Sequence, residues 1–347
     1  MKVALITDLH FGVRGGKELF HTHFQKFYQT VFFPTLAARG VDTVIDLGDT
    51  FDNRKNIDFN SIKRAQEYFF DPARAAGLKI HMLVGNHDIY LRNSLAINSP
   101  ELLLREYSNV FPIDSPSELQ LGSTKFLMLP WICADNYTES MALLKDSDAQ
   151  IVCGHLEISG FQMHAGQESH EGFETGMFSR FKQVFSGHYH HRSSKGNITY
   201  LGNPYEMTWS DYNDPRGFHI FDTETHELEF IENPHTLFTR VEYRDTKDFD
   251  FSTLKDQFVK IVVHQKTDYY AYDQFLDKAI NSGAHDVKVI ENLADLVADE
   301  LDDDVSVEDT QSILRHYVER AEVDVDREKL ADYMSGLYVE ALNTTND

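Results

Sequence analysis

A layered α/β chain is what this sequence predicts, and three observations predict it. Short apolar runs rich in β-branched residues alternate with amphipathic helical stretches through roughly the first 230 residues. Five of the apolar runs stop at a small polar motif of glycine, aspartate, asparagine or histidine. The 347 residues are 41% hydrophobic and 12% aromatic, enough to bury a core without disulfides or a structural metal.

Each element follows from its pattern. Val3–Ile6, Val41–Leu47, Ile80–Val84, Phe126–Leu129, Ile151–Cys153 and Val184–Phe185 are expected as buried strands. Phe20–Ala38 and Ser61–Ala76 are expected as helices between them. Ile198–Leu201 and Gly217–Phe221 read as later strands, with Glu227–Ile231 closing the sheet. Past Thr239 the pattern changes. Lys260–His264, Ala271–Ser282 and Asp286–Glu291 make a small β-α-β unit. The run Asp299–Asp304 reads as a solvated hinge. Beyond it Ser306 caps a helix, with Asp309 three residues on and Ile313, Leu314, Tyr317, Val318 and Ala321 on one stripe. A second helix begins near Asp326, with Leu330, Tyr333, Met334, Leu337, Tyr338 and Ala341 at helical spacing. The expected domains are 1–235, 236–295 and 296–347.

Charge excludes one class of function. Lys plus Arg number 32 against 56 Asp plus Glu, a net charge of −24. A protein that coats nucleic acid with a basic surface is ruled out. Residues 291–347 hold 17 acidic and four basic side chains, so the C-terminal segment is compositionally separate. The two cysteines, Cys133 and Cys153, build neither a disulfide framework nor a thiolate metal site. They are expected as buried thiols in a reducing compartment. An acidic residue at position 8 comes too early for a signal peptide, and no run of 18 apolar residues exists, so a soluble cytoplasmic protein is expected.

The chemistry lies in the five motifs that follow strands. They are Asp8-Leu9-His10, Gly48-Asp49-Thr50-Phe51-Asp52, Gly85-Asn86-His87-Asp88, Gly154-His155 and Gly187-His188-Tyr189-His190. Ligands collect at the carboxyl ends of strands, so the motifs are expected to meet at one edge. Their carboxylates, imidazoles and carboxamide suit Mn, Fe, Zn or Mg. Four of the glycines precede ligand residues and are expected to let the backbone turn sharply there. Asp8, His10, Asp49, Asn86, His155, His188 and His190 make seven donors. That number fits two ions bridged by a shared carboxylate, as in the two-metal clamp of an in-line phosphoryl displacement.

Alone, each motif is ordinary. Asp-x-His is a common accident, and Gly-Asn-His-Asp can be a plain turn. Together and in this order they resemble the calcineurin-type metallophosphoesterase superfamily. Within it the chain resembles the SbcD-type nuclease subunits of SbcCD recombination complexes, including their T-even phage branch. The motif match spans Asp8 to His190. The SbcD likeness rests also on Gly-Asp-Thr-Phe-Asp, Leu201-Gly202-Asn203-Pro204 and the β-α-β unit.

That resemblance implies a metallophosphoesterase β-sandwich flanked by helices, with a small α/β capping domain that binds DNA and C-terminal helices. It implies that Asp8, His10, Asp49 and His190 hold one metal and that Asp49, Asn86, His155 and His188 hold another, the ions being Mn2+ or Mg2+. It assigns His87 to the phosphate and the leaving oxygen, and Asp88 to orienting His87. His87 is also the motif histidine left over from the seven donors, and imidazole is the natural general acid near neutral pH. The implied activity is 3′-to-5′ duplex exonuclease and single-strand endonuclease in DNA double-strand break processing, replication, recombination and repair. The implied partners are DNA, an SbcC-like coiled-coil ABC ATPase and a second copy of the chain, through Ser61–Ala76 and Pro100–Tyr107. A phage-encoded member would act in the host cytoplasm.

Two departures stand out. Archaeal and eukaryotic relatives carry histidine at the position of Asp52, whereas bacterial ones carry Asp. The family's later Gly-Ser-Pro is Gly202-Asn203-Pro204 here, read as a tolerated loop change.

Arg14, Lys17, Arg54, Lys55, Arg92, Arg192 and Lys195 each follow a metal motif, and form an expected positive rim for a phosphate backbone. The stretch Phe161–Ser179 reads as an ordinary solvated loop, with a mobile substrate loop as the other reading. The C-terminal stripes either pack on their own domain or dock on the ATPase, and docking is the favoured reading. Two rival functions remain. One is a phosphoesterase acting on something other than nucleic acid. A protein phosphatase is disfavoured, because that family shows Gly-Asn-His-Glu and Asp-Arg-Gly. The other rival, a non-catalytic scaffold for the ATPase, sits badly with seven retained donors.

Overall fold

Alternation within the strands decides the layering. In Lys2–Ile6 (β1), the residues Val3, Ala4, Leu5 and Ile6 are all buried, so both faces must be covered. The computed structural model describes residues 1–164, 167–291, 330 and 334, and supplies a cover for each face. Val3 and Leu5 join Ile45, Leu47 and, from a second sheet, Phe126, Met128, Cys153 and Phe185. Ala4 and Ile6 join Phe24, Phe27, Tyr28 and Phe69 from helices on the outside. Two sheets are thus packed face to face, each with helices on its outer side.

In the first sheet β1 is followed by Thr43–Asp46 (β2), Lys79–Leu83 (β3) and Val110–Ile113 (β4), each parallel to its neighbour. The second sheet is built from Ser117–Leu121 (β5), Thr124–Leu129 (β6), Ile151–His155 (β7), Gln183–Gly187 (β8), Ser193–Lys195 (β9) and Ile198–Tyr200 (β10), in the order β9–β10–β8–β7–β6–β5. Gly217–Asp222 (β11) and Leu228–Glu232 (β12) then return to the first sheet, giving β12–β11–β1–β2–β3–β4. The strands expected from sequence are found, with ends moved by one or two residues. The edge strands β4 and β5 escape the sequence reading, β4 because it is four residues long and interrupted by Pro112, β5 because its residues alternate with polar ones.

Both long helices form, each with a π turn on its aromatic run. Glu18–Phe27 (α1) passes through Tyr28–Phe32 into Phe33–Arg39 (α2). Phe59–Ala65 (α3) passes through Gln66–Phe70 into Asp71–Ala75 (α4). The helix expected over Pro100–Tyr107 is shorter, Ser99–Leu103 (α5). Its N-cap is Asn98, whose side chain accepts from the Glu101 N–H, and Pro100 occupies the first turn, where no donor is needed. Tyr137–Asp146 (α6) places Leu144 on the outer face of the second sheet, against Leu129 and Val152.

The β-α-β unit gains a strand. Phe238–Arg244 (β13) pairs in parallel with Phe258–Gln265 (β14), which pairs with Asp286–Ile290 (β15). Tyr269–Ile280 (α7) covers them, and Tyr272, Phe275, Tyr243 and Ile261 form a separate core. The junction with the larger domain is aromatic. Trp209 lies 4.9 Å from Phe238, and the buried Lys260 ammonium sits 4.1 Å above the Trp209 ring. Glu206, also buried, accepts from the N–H groups of Leu237 and Phe238 at 2.6 and 2.9 Å, fixing where β13 begins. Among the described residues no helix is long and apolar enough to cross a membrane. The acidic hinge, the C-terminal stripes and the ATPase-docking segment lie outside the described residues, save that Leu330 and Met334 are helical.

Candidate metal centre

The five motifs meet, but from two sheets rather than one. Asp8, Asp49 and Asn86 follow β1, β2 and β3. His155 ends β7, and His188 and His190 follow β8. The expectation of one sheet edge is corrected accordingly: the donors close across the top of the sandwich.

The seven donors form two sets that share one atom. His10 Nε2 lies 3.8 Å from Asp8 Oδ1, 3.9 Å from Asp49 Oδ2 and 3.1 Å from His190 Nε2. His190 Nε2 is 3.8 Å from Asp8 Oδ1. In the other set Asn86 Oδ1 is 2.8 Å from His155 Nε2 and 3.0 Å from His188 Nδ1, and Asp49 Oδ2 is 3.2 Å from His155 Nε2. Asp49 Oδ2 therefore faces both sets. Its other oxygen is occupied, accepting from the His87 N–H at 2.8 Å.

The donor chemistry fits divalent cations. His155 Nδ1 donates to the Leu47 carbonyl at 2.8 Å, so Nε2 carries its lone pair. That lone pair points at a carboxylate oxygen, two acceptors in contact in a site with no exposure. A cation between them removes the repulsion. Without one a proton substitutes: burial pushes His155 down, but the Asp49 carboxylate overrides it and lifts it to about 9. Neighbouring His188 goes the other way, to about 3, through burial and the charge on His155. Burial alone would raise Asp49, yet His155 and His87 hold it well below the usual carboxylate range.

Holding the donors requires unusual backbone. Asp8, His10, Asp49 and His188 all have positive φ, 54°, 43°, 57° and 87°. Such conformations are costly for non-glycine residues and cluster at functional sites. This corrects the expected role of the glycines. Of the four, Gly48 takes a left-handed φ (105°). The others are needed for room. A Cβ on Gly85 would lie 2.1 Å from Asp49 Oδ1, and one on Gly187 2.0 Å from Thr7 Oγ1. Thr7 Oγ1 in turn donates to Asp8 Oδ2 at 2.7 Å, leaving Oδ1 for the first set.

The two acidic neighbours of His87 serve other groups than its ring. The resemblance places Asp88 beside the His87 ring. Its buried carboxylate instead accepts from the N–H groups of Asp49, Gly85 and Phe51 and from Ser99 Oγ. It ties the β2 and β3 loops together, because three main-chain donors there need one acceptor. His87 Nδ1 lies 2.5 Å from the Asp52 carbonyl oxygen. The Asp52 carboxylate is 3.3 Å from His10 Nδ1, which leaves His10 Nε2 to face the first set.

Two further supports escape the sequence reading. Asn203 is buried, not a tolerant loop position. Arg216 reaches its side-chain oxygen, the His190 carbonyl and the Asp211 and Asp214 carboxylates, fixing the turn that carries His190. Trp131 covers the second set, its ring 5.1 Å from His188 and 6.1 Å from His155. It follows a strand without a polar motif, and nothing in its sequence neighbourhood marks it.

The positive rim is smaller than expected. Arg14, Lys17, Lys55 and Arg92 are exposed, and Arg54 Nε donates to the Asn86 carbonyl at 2.6 Å. Arg192 leaves the rim, stacking 4.2 Å above Phe230 on β12, two strands out from β1. Lys195 leaves it too. It pairs with Ile198, level with Val184 at the start of β8, whereas His188 lies past that strand's far end.

Known proteins resemble this chain over most of its length. The calcineurin-like phosphoesterase family matches residues 1–192. The chain is 32% identical over 345 residues to exonuclease subunit 1 of Enterobacteria phage T4, covering 98% of this chain and 99% of that one. It is 25% identical over 261 residues to the SbcD component of the nuclease SbcCD of Staphylococcus epidermidis, 66% of this chain and 67% of the other. A solved archaeal phosphodiesterase aligns with a TM-score of 0.35 at 14% identity, over 67% of this chain and 100% of that one.

Proposed function

We propose that this chain, which belongs to the calcineurin-like phosphoesterase family, is the nuclease subunit of an SbcCD-like complex and cuts DNA with two divalent ions, Mn2+ ahead of Mg2+. The observation that carries this reading is Asp49 Oδ2 facing both donor sets. Asp8, His10, Asp49 and His190 would hold the first ion, and Asp49, Asn86, His155 and His188 the second. Such ions would supply charge to polarise the scissile phosphate and to activate water. His87, anchored through its Nδ1 side, presents Nε2 toward the substrate and protonates the leaving oxygen. Asp88 and Asp52 act by positioning. Arg14, Lys17, Arg54, Lys55 and Arg92 take the phosphate backbone, which carries no base sequence, so cutting is sequence-tolerant.

The rest of the chain serves assembly. Residues 236–295 cap the site toward DNA, a role favoured by their separate core and firm aromatic junction. Phe59 and Leu102 are 90% and 54% exposed on α3 and α5, the helices proposed to pair two copies of the chain. Residues 296–347 dock on an SbcC-like coiled-coil ATPase, which supplies DNA affinity that an acidic chain lacks.

A substrate panel tests the reading. Linear duplex, single-stranded circles, a small bis-ester and a phosphoserine peptide are each incubated with Mn2+, Mg2+ or chelator. DNA cleavage in metal, abolished by chelator, is expected. Turnover of the phosphopeptide with inert DNA would overturn it. A chain ending near Asp299 should keep metal-dependent cutting of single strands and lose co-purification with the ATPase. Retained complex formation would place docking elsewhere.

A further inference from the structure

Beside the second donor set lies a cleft of about 190 Å3, lined by Trp131, Ile132, His155, Leu156, Glu157, Gly172 and Phe173. For scale, an engineered cavity of about 150 Å3 takes benzene. The room therefore suits one aromatic ring system rather than a base pair. The walls are Trp131 and Phe173, both only half-buried, although large rings normally seek fuller cover.

The cleft is built, not incidental. Phe173 belongs to the stretch expected as an ordinary solvated loop, yet its N–H donates to the Glu157 carbonyl at 2.8 Å and its carbonyl accepts from the Ser159 N–H at 3.0 Å. Gly172 has φ +98°, and a Cβ there would lie 2.3 Å from the Glu157 carbonyl oxygen. The loop can return this closely to the end of β7 because that position is glycine. Trp131 is held by its own N–H, which donates to the Val84 carbonyl at 2.8 Å. The main chain that carries each ring is thus tied down beside the second donor set.

Charge selects the occupant. Glu157 is part of the lining, and exposed Glu171 directly precedes Gly172 at its rim. Acidic walls repel a phosphate and accept a neutral heterocycle bearing N–H donors. Resting on the nuclease reading above, we infer that the Trp131–Phe173 cleft takes one unpaired nucleobase of the strand being cut. A base can enter only after leaving its partner, so the cleft favours single strands and frayed ends over internal duplex. Stacking on aromatic faces tolerates any base, in keeping with sequence-tolerant cutting.

The test uses the full chain with Mn2+ and single-stranded oligonucleotides that carry either a normal nucleotide or an abasic tetrahydrofuran at each position around one cut site. The ratio of kcat/KM, normal to abasic, is read for each position. Wild type is expected to show a ratio of about 10 at one position, the scale of one stacked base. Phe173→Ala and Trp131→Ala should bring that ratio toward one, whereas Trp131→Phe should retain most of it. Metal content measured on each variant separates loss of stacking from a disturbed donor set. A ratio of one at every position in wild type, or an unchanged ratio in Phe173→Ala with metal retained, overturns the cleft assignment while DNA is still cut. Failure to cut any oligonucleotide with the small bis-ester still hydrolysed would overturn the nuclease reading instead.

Discussion

Asp49→Ala is expected to lower DNA cleavage by at least about 1,000-fold, the scale set by dismantling a two-metal clamp. Asp49 Oδ2 is the atom common to both donor sets, 3.9 Å from His10 Nε2 and 3.2 Å from His155 Nε2. The carboxylates around it are engaged elsewhere: Asp8 serves one set, Asp52 faces His10 Nδ1 and Asp88 is committed to three main-chain N–H groups. Calorimetric titration with Mn2+ should show affinity weakened about 100-fold or more for both ions together. The metal-free variant should stay folded, since His155, no longer beside a carboxylate, gives up its proton and leaves no unpaired buried charge. Loss of one ion with tight binding of the other would show that Asp49 does not bridge.

His87→Ala gives the opposite dissociation. Both ions should bind with near wild-type affinity while kcat falls about 100- to 10,000-fold, the range for a positioned general acid. His87 is attached to the loops through its N–H on Asp49 Oδ1 and its Nδ1 at the Asp52 carbonyl. Alanine keeps the first of these bonds, so Asp49 remains oriented. A substrate whose leaving group needs no proton, such as a nitrophenyl ester, should lose much less than DNA. Equal losses on both substrates would remove the acid role.

Much of this site was legible in the sequence because strand tips and donors coincide. A buried strand shows as an apolar run, and the first polar residues after it must lie at its end. That logic located all seven donors and His87. It did not say which sheet each strand joins, since Val152 and Val44 look alike in sequence. It misjudged Gly85 and Gly187, whose absent side chains make room for Asp49 and Thr7 rather than a turn. It misassigned Asp88, adjacent to His87 in sequence but turned toward main-chain donors in space. Trp131, Asn203 and Arg216 were illegible because each acts through contacts with residues distant along the chain. The strand Phe238–Arg244 was missed because Arg240, Glu242 and Arg244 alternate with Val241 and Tyr243, leaving no continuous apolar run.

The most direct measurement of the central claim is anomalous diffraction from crystals of the full chain soaked in Mn2+. Two peaks about 3.5–4 Å apart are expected, with Asp49 between them, Asp8, His10 and His190 around one and Asn86, His155 and His188 around the other. A single peak, or two peaks with Asp49 bound to only one, would contradict the bridged two-metal centre.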